Sequence, residues 1–380
     1  MMGIKNDKIE RFKCTTIVKD PSMQGGGIAA VALPLHTELE AAFGISNLVC
    51  AIEPDKKIKN SLSVGRGVFG ALCIPKSAIG EVVHIHGIWT PFEFFSVLLA
   101  KRQGAKVIIS PHGALEPWAF HSKGFKKKFA WHLYQKKILA SADLLIVNSE
   151  QERNNLRALG LDGAIAVISN GVVLDGYNRV AATNIERDKV VLYFSRLDRK
   201  KGIELLVRSW KSLENRQGYK LHVQGYGDDA YKHSLQSLVS KLGLNEDVKF
   251  IEPSFAEQRW SAFSSASIYI LPSYSENFGI TVAEALFSGL PSITTTEMPW
   301  GELPNKKIGW SVECNQEKIA QALHEAISLD KDELINMRLS AIEYAESRFL
   351  WTNIAKEYEQ VYRWALHPSV DIMPKSITIN

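Results

Sequence analysis

The sequence predicts an α/β protein of two doubly wound, Rossmann-like domains facing a cleft. Three observations predict it. Short apolar runs rich in Val and Ile alternate with longer amphipathic stretches. That alternation runs through the chain twice. At roughly 150 residues per domain, 380 residues hold about two of them.

In the first series, Cys14–Val18, residues 47–52, Val82–His86, residues 107–110 and residues 144–148 read as strands. They are brief and mostly unalternating, as suits parallel strands covered on both faces. Amphipathic patterns at 28–42, 92–102 and 125–140 read as the helices between them. The second series has strands at Val190–Phe194, Lys220–Gln224, Val248–Ile251, Ile268–Leu271 and Ser292–Thr295. Its helices fall at 203–210, 231–242, Arg259–Ser265 and 281–288. With a last strand-like piece at 167–169 closing the first series, each series supplies five or six strands. Gly171, Asp175, Gly176 and Asn178 break the periodicity between them, so the domains are expected at 1–171 and 172–348. Helical patterns follow at 316–329, 332–346 and 351–364. Residues 349–380 are expected to form a crossover helix and a tail, and from 368 onward no periodicity remains.

Composition excludes several classes. A net charge of +4 is too small to argue for nucleic-acid binding. The charge is uneven: up to Asn170 there are 21 Lys and Arg against 14 Asp and Glu, and thereafter 24 against 27. Cys14, Cys50, Cys73 and Cys314 are far apart and flanked by apolar residues, which reads as buried free thiols rather than a zinc or redox motif. The first residues are too polar for a signal peptide, and no run of about 18 apolar residues could span a membrane. A cytoplasmic protein is expected.

Open parallel sheets bind ligands beyond the carboxyl ends of their strands, where the strand order reverses. The loops there carry the informative residues. Gly25, Gly27 and Ala30 nominally satisfy a dinucleotide fingerprint, with Glu53 in the place of its ribose acid. Six residues separate Val18 from Gly25, however, whereas that fingerprint turns directly out of its strand. Gly26 and Gly27 read instead as a loop at a helix amino terminus, whose bare amides can approach a phosphate, or as a turn needing unusual dihedrals.

After the strand Ile268–Leu271 come Glu276, Asn277, Phe278, Gly279 and Ile280, then Glu284 inside a helical pattern. The amides of Phe278, Gly279 and Ile280 would open that helix and favour anionic phosphates. Glu276 could take sugar hydroxyls. Glu284, flanked by Val282, Ala283, Ala285 and Leu286, is not a solvated position, and its carboxylate suits a ribose diol. After Val190–Phe194, Ser195, Arg196 and Lys201 offer fixed positive charge for a diphosphate, although Arg199-Lys200-Lys201 alone could be a solvated turn. These cations supply charge that a metal otherwise would, and no metal is expected. Gly225 and Gly227 follow the next strand, as a nucleotide-side turn or simply a tight one.

Glu276 and Glu284 form an E-x7-E motif, and the chain resembles the family-four retaining glycosyltransferases with the two-Rossmann GT-B fold. Phe194–Gly202 looks like that family's diphosphate clamp, and Asn170-Gly171-Val172 like its interdomain signature. His84-Ile85-His86-Gly87 and Ser110-Pro111-His112-Gly113 resemble its acceptor-domain strand ends, and Phe349-Leu350-Trp351 the segment crossing back. Likeness to bacterial surface-polysaccharide and lipopolysaccharide enzymes is strongest around residues 110–118 and 298–303.

The resemblance implies a hexosyltransferase that uses a UDP- or GDP-sugar as substrate, with no cofactor. Its acceptor would be a saccharide or a polyprenyl-diphosphate-linked saccharide. It assigns catalytic roles to His112, Arg196, Lys201 and Glu276. Donor contacts fall to Gly26, Gly27, Ser195, Gly225, Asn277, Phe278, Gly279, Ile280 and Glu284. His86, Trp89, Glu116 and Trp118 would shape the acceptor side, His86 equally reading as a core histidine. Lys123, Lys126, Lys127 and Lys128, interleaved with aromatics, fit either an anionic membrane surface or a solvated helix with its aromatics in the core. Two rival activities share the pattern: a nucleotide-sugar epimerase of the same fold, and a non-catalytic sugar-nucleotide-binding assembly protein.

Overall fold

The computed structural model describes residues 12–22, 26–54, 58–65, 70–117, 128–184 and 186–379. Two compact units divide the chain: Met1–Gly171 with Trp351–Asn380, and Val172–Leu350.

The first unit is built on an eight-stranded sheet. Its strands in chain order are β1 (Cys14–Val18), β2 (Ser46–Cys50), β3 (Ser61–Ser63), β4 (Val82–His86), β5 (Lys106–Ser110), β6 (Leu144–Val147) and β7 (Ile165–Val167). Every residue of β1, β4 and β6 is buried, which is why they read as unbroken apolar runs. The spatial order is β14-β7-β6-β5-β4-β1-β2-β3, where β14 is Ile377–Thr378. All pairings are parallel except that of β14 with β7. The order reverses between β1 and β4, so the loops after Val18 and His86 flank the switch point.

Three expectations are corrected in this unit. Residues 368–376 hold no helix or strand, but the tail does not end loose: Ile377 is 3% exposed and pairs with Ala166, completing the sheet edge. A two-residue strand has no period of its own, and its partner lies far away in sequence. The short edge strand β3 and the helix Glu150–Ala158 were likewise not expected. Cys14 and Cys50 are buried, but Cys73 is exposed at the end of the turn Gly70–Cys73, and Cys314 in the second unit is half-buried. All four are free thiols.

The helix Trp351–Leu366 belongs to this unit and buries Ile354, Ala355, Tyr358, Val361, Tyr362 and Ala365, the spacing of one helical face. It packs against the helix Gly26–Phe43. The change of unit falls at Trp351 rather than at 349, because Phe349 stays with the second unit, ring against ring with Phe278 and Trp300.

The second unit has β8 (Val190–Phe194), β9 (Lys220–Gln224), β10 (Val248–Ile251), β11 (Ile268–Leu271), β12 (Ser292–Thr295) and β13 (Gly309–Val312). They lie in the order β10-β9-β8-β11-β12-β13, all parallel. The unexpected strand β13 starts on a glycine where a Cβ would sit 2.0 Å from the Ser292 carbonyl oxygen. The reversal falls between β8 and β11. Among the described residues no helix is long and apolar enough to cross a membrane.

Candidate functional site

In the second unit, the loops beyond β8 and β11 meet at the switch point. Ser273 Oγ donates to the Lys200 carbonyl oxygen at 3.0 Å and the Tyr274 amide to the same oxygen at 2.9 Å. This stitching sets Lys201 Nζ 2.5 Å from Glu276 Oε1, with the two side chains only 14% and 11% exposed. Ser273 Oγ also lies 2.8 Å from that carboxylate oxygen. Gly202 permits the approach: its φ is +71°, and a Cβ there would stand 2.0 Å from the Pro272 carbonyl oxygen.

Of the basic run, Lys201 is the inward member. Arg199 pairs with Glu204 at 2.9 Å and lies over the Tyr231 ring. Arg196 is 56% exposed and only loosely held, 3.5 Å from Asp198, so little opposes its swinging toward an anion. Gly225 sits where a Cβ would come within 1.8 Å of the Ser195 carbonyl oxygen, so that turn is glycine for close packing on the loop after β8. Asp228 then caps the helix Asp229–Lys241 through the Tyr231 amide.

Gly279, at φ +79°, opens the helix Ile280–Phe287. The Phe278 ring is buried against Trp300, whose indole nitrogen donates to the Phe278 carbonyl oxygen at 2.6 Å, while Ile280 is exposed. The segment therefore offers backbone rather than side chains. Asn277 Oδ1 is buried and lacks a hydrogen-bond partner, an unusual condition that marks a place where a ligand donor fits. Glu284 is buried, and burial raises its pKa to about 6 against the pull of Arg259, whose Nε is 2.8 Å away. No motif announced Arg259, because the contact spans 25 positions and two helices.

In the first unit, Gly26 and Gly27 begin the helix Gly26–Phe43, and a Cβ on Gly27 would meet nothing within 4 Å. Across the switch point stand three histidines. His84 Nδ1 pairs with the Tyr362 hydroxyl at 2.6 Å and its Nε2 with Ser110 Oγ at 2.8 Å. His86 Nδ1 lies 2.9 Å from His112 Nε2, and the rings stack at 15°. Burial holds His84 and His86 well below the usual histidine value of 6.5 and brings His112 down to about 4. All three are neutral imidazoles at pH 7. His86 Nε2 is buried with no partner. His112 has φ +52° and Trp89 +83°, sparsely populated for such side chains and held by their surroundings. The surrounding restraint includes Glu152, which accepts from the Gly113 amide at 2.6 Å and the Asn148 amide at 3.0 Å. Burial raises its pKa to about 7.

Glu116 is buried in the same loop, and the Trp89 indole donates to the Ala114 carbonyl oxygen at 3.4 Å. Trp118, Lys123, Lys126 and Lys127 lie outside the described residues. Lys128 is exposed beside exposed Phe129 and Leu133, while Trp131 is buried. Sequence reading missed the Glu152 and Tyr362 contacts. The spacing of His84 and His86 carried their signal, since alternate residues of a strand share a face.

Comparisons with known proteins bear on both units. Residues 178–348 match the family "Glycosyl transferases group 1", and residues 26–171 match the "Glycosyl transferase 4-like domain". The O-antigen biosynthesis glycosyltransferase WclY of Escherichia coli is 25% identical over 290 residues, 74% of this chain and 78% of that one. A D-inositol 3-phosphate glycosyltransferase of Corynebacterium jeikeium is 30% identical over 255 residues, 60% of this chain and 59% of that protein. With an uncharacterised glycosyltransferase of Methanocaldococcus jannaschii, the 28% identical match spans 46% of the relative. The chain thus covers only about half to three fifths of the latter two relatives.

Among solved structures, sucrose-phosphate synthase from Thermosynechococcus elongatus aligns with a TM-score of 0.75 at 21% identity, covering 94% of this chain and 100% of that one. Anabaena HepE in complex with UDP-glucose aligns at 0.72 and 16%, covering 93% and 100%. At such identities these neighbours speak to the fold, which is GT-B. The chain therefore belongs to the glycosyltransferases, with a 4-like first domain and a group 1 second domain.

Proposed function

We propose that the chain transfers a hexosyl group, with retention of anomeric configuration, from a UDP- or GDP-sugar to a saccharide hydroxyl. The observation that carries the reading is the Lys201–Glu276 pair beside the unpartnered Asn277 Oδ1, at the reversal between β8 and β11. Without ligand, Lys201 and Glu276 neutralise one another. A bound nucleotide sugar offers each a better partner: diphosphate oxygens for Lys201, sugar hydroxyls for Glu276. Arg196, Ser195, Gly225 and the amides of Phe278, Gly279 and Ile280 add charge and donors for the diphosphate, and Glu284 takes the ribose.

In this reading the leaving diphosphate oxygen accepts the proton of the incoming hydroxyl while the acceptor oxygen bonds the same face of the sugar. No covalent nucleophile is needed, and catalysis rests on positioning and stabilised charge. His112, neutral and anchored by His86, contacts the sugar. Trp89, Glu116 and Trp118 shape the acceptor side. No metal and no separate cofactor enters the scheme.

The acceptor in this reading is a saccharide carried on polyprenyl diphosphate, in surface-polysaccharide synthesis, which the O-antigen name of the E. coli relative supports. The protein would work in the cytoplasm against the inner face of the membrane, where exposed Lys128, Phe129 and Leu133 suit an anionic lipid surface. It has no nucleic-acid partner. Thermal-shift screening of nucleoside-diphosphate sugars tests the donor assignment, since a ligand at a hundred times its Kd adds about 2.7 kcal/mol of stability. One or more should raise the midpoint in wild type and fail to do so in Glu276→Ala. A panel in which none shifts the midpoint overturns it. Conversion of donor alone into its epimer would favour an isomerase instead.

A further inference from the structure

Beside Glu284 lies a cation whose position does not depend on Glu284. Arg259 opens the helix Arg259–Ser265, and its guanidinium is fixed from three other directions. Nη2 donates to the Val173 carbonyl oxygen at 2.5 Å and Nη1 to that of Ala256 at 2.5 Å, while the plane lies 4.6 Å from the centre of the Trp260 ring. Ala256 takes a φ of +48°, in the region that favours glycine, at the point where its carbonyl receives Nη1. Trp260 is itself tied by its indole nitrogen to the Asp175 carbonyl oxygen at 2.9 Å. The anchored group sets Nε 2.8 Å from Glu284 Oε1, with the side chains 13% and 10% exposed. Nε meets that oxygen as one half of an ion pair. Only Oε1 is engaged. No hydrogen bond to Oε2 is found among the described residues.

A buried ion pair contributes little stability relative to apolar side chains of similar volume. A pre-anchored pair with one carboxylate oxygen left over is better explained by recognition. We propose that Arg259 is a positioning residue for nucleotide binding: fixed by two backbone carbonyls and an indole, it pins Glu284 through Oε1 and turns the other oxygen to the vicinal hydroxyls of a ribose. This rests on the reading of Glu284 as the ribose acid. The physics favours arginine in particular. An ionised carboxylate only accepts, which is what two hydroxyl donors require, and a protonated one would present a donor instead. The adjacent guanidinium keeps the buried carboxylate in its accepting form. Lysine supplies charge but not the planar fork that holds two carbonyls and lies flat on a ring.

The test uses the full chain and titration calorimetry, with UDP or GDP, whichever binds wild type more tightly, and its 2′,3′-dideoxy counterpart. Wild type should prefer the ribose form by about ten-fold or more, the loss expected when a site built for hydroxyls meets none. Arg259→Met should reduce that preference to within about three-fold while affinity for the dideoxy form stays near wild type, because the diphosphate contacts are untouched. Arg259→Lys should restore part of the preference, and it carries the test alone if the Met variant does not fold. A merely structural arginine would weaken both ligands together.

An undiminished preference in Arg259→Met, or equal loss for both nucleotides, overturns the proposal. Glu284→Gln separates the two ideas. If Glu284→Gln abolishes the preference and Arg259→Met does not, Arg259 is misassigned. If Glu284→Gln leaves the preference intact, or wild type binds neither nucleotide, the ribose reading fails and the proposal falls with it.

Discussion

Removing the ammonium of Lys201 should strand a carboxylate in the second unit. Lys201→Met keeps most of the volume and deletes the charge, leaving Glu276 11% exposed and without the partner now 2.5 Å away. At an effective dielectric of about 20, that separation corresponds to about 7 kcal/mol of gross attraction. Most is offset by the desolvation of both groups, and breaking such a pair typically costs about 3–5 kcal/mol. The Ser273 hydroxyl, 2.8 Å from the same oxygen, compensates in part by turning its O–H from the Lys200 carbonyl to the carboxylate, so about 3 kcal/mol is expected. For a unit of this size that lowers the thermal midpoint by about 6–12 °C.

Glu276→Gln in the Lys201→Met background removes the stranded charge and should recover at least about half of the loss. The assay is calorimetric or circular-dichroism melting of wild type, both single variants and the double variant. If Lys201→Met melts within about 1 °C of wild type, or the double variant loses the sum of the singles, the two side chains are not the coupled pair described above.

Three further expectations follow from other residues. Because burial keeps His84, His86 and His112 from protonating in the fold, the stability they permit is present above about pH 6.5 and lost as the pH falls toward 4. Glu152, raised to about 7, acts with the opposite sign: its contribution is present below its ordinary 4.5 and lost as pH rises through 7. His86→Asn should therefore flatten the fall of unfolding free energy as the pH drops below 6.5 by up to about 1.4 kcal/mol per pH unit, and equal slopes in denaturant titrations would contradict this. Glu152→Gln turns an amide NH2 toward either the Gly113 or the Asn148 amide, and should cost about 1–3 kcal/mol and speed hydrogen exchange at Gly113; an unchanged exchange rate would speak against the restraint. Gly225→Ala places a Cβ 1.8 Å from the Ser195 carbonyl oxygen, so it should displace the loop after β8 and give little folded protein; a wild-type melting curve would refute the close approach.

Legibility tracked the range of the interactions. β1 and β4, buried along their whole lengths, have boundaries readable from their apolar runs. The exposed edge strand β3 and the glycine-led β13 have no such run, and β14 exists only because β7 accepts it. In the second unit, the sequence placed Lys201 and Glu276 in the loops after two strands that lie side by side in the sheet, and those two side chains touch. Lys201 was singled out of Arg199-Lys200-Lys201 by the family resemblance; Gly202 and the Ser273 stitch are what turn it inward, and no local pattern announces them. Arg259 was unreadable: nothing in its own neighbourhood requires a cation, and its partners Val173 and Glu284 are distant in sequence. The His84–His86 spacing was readable, whereas the Tyr362 hydroxyl that fixes His84 comes from the far end of the chain.

The central claim is that the second unit hands a sugar from a nucleotide to an acceptor hydroxyl on the face the nucleotide leaves. Proton NMR of the anomeric region, recorded from the first minutes of turnover with the donor found by thermal shift, tests it most directly. The account predicts that the first new anomeric signal has the same configuration as the donor, appears with release of nucleoside diphosphate, and is absent with Glu276→Ala. A first product of opposite configuration, or undiminished turnover in that variant, would contradict it.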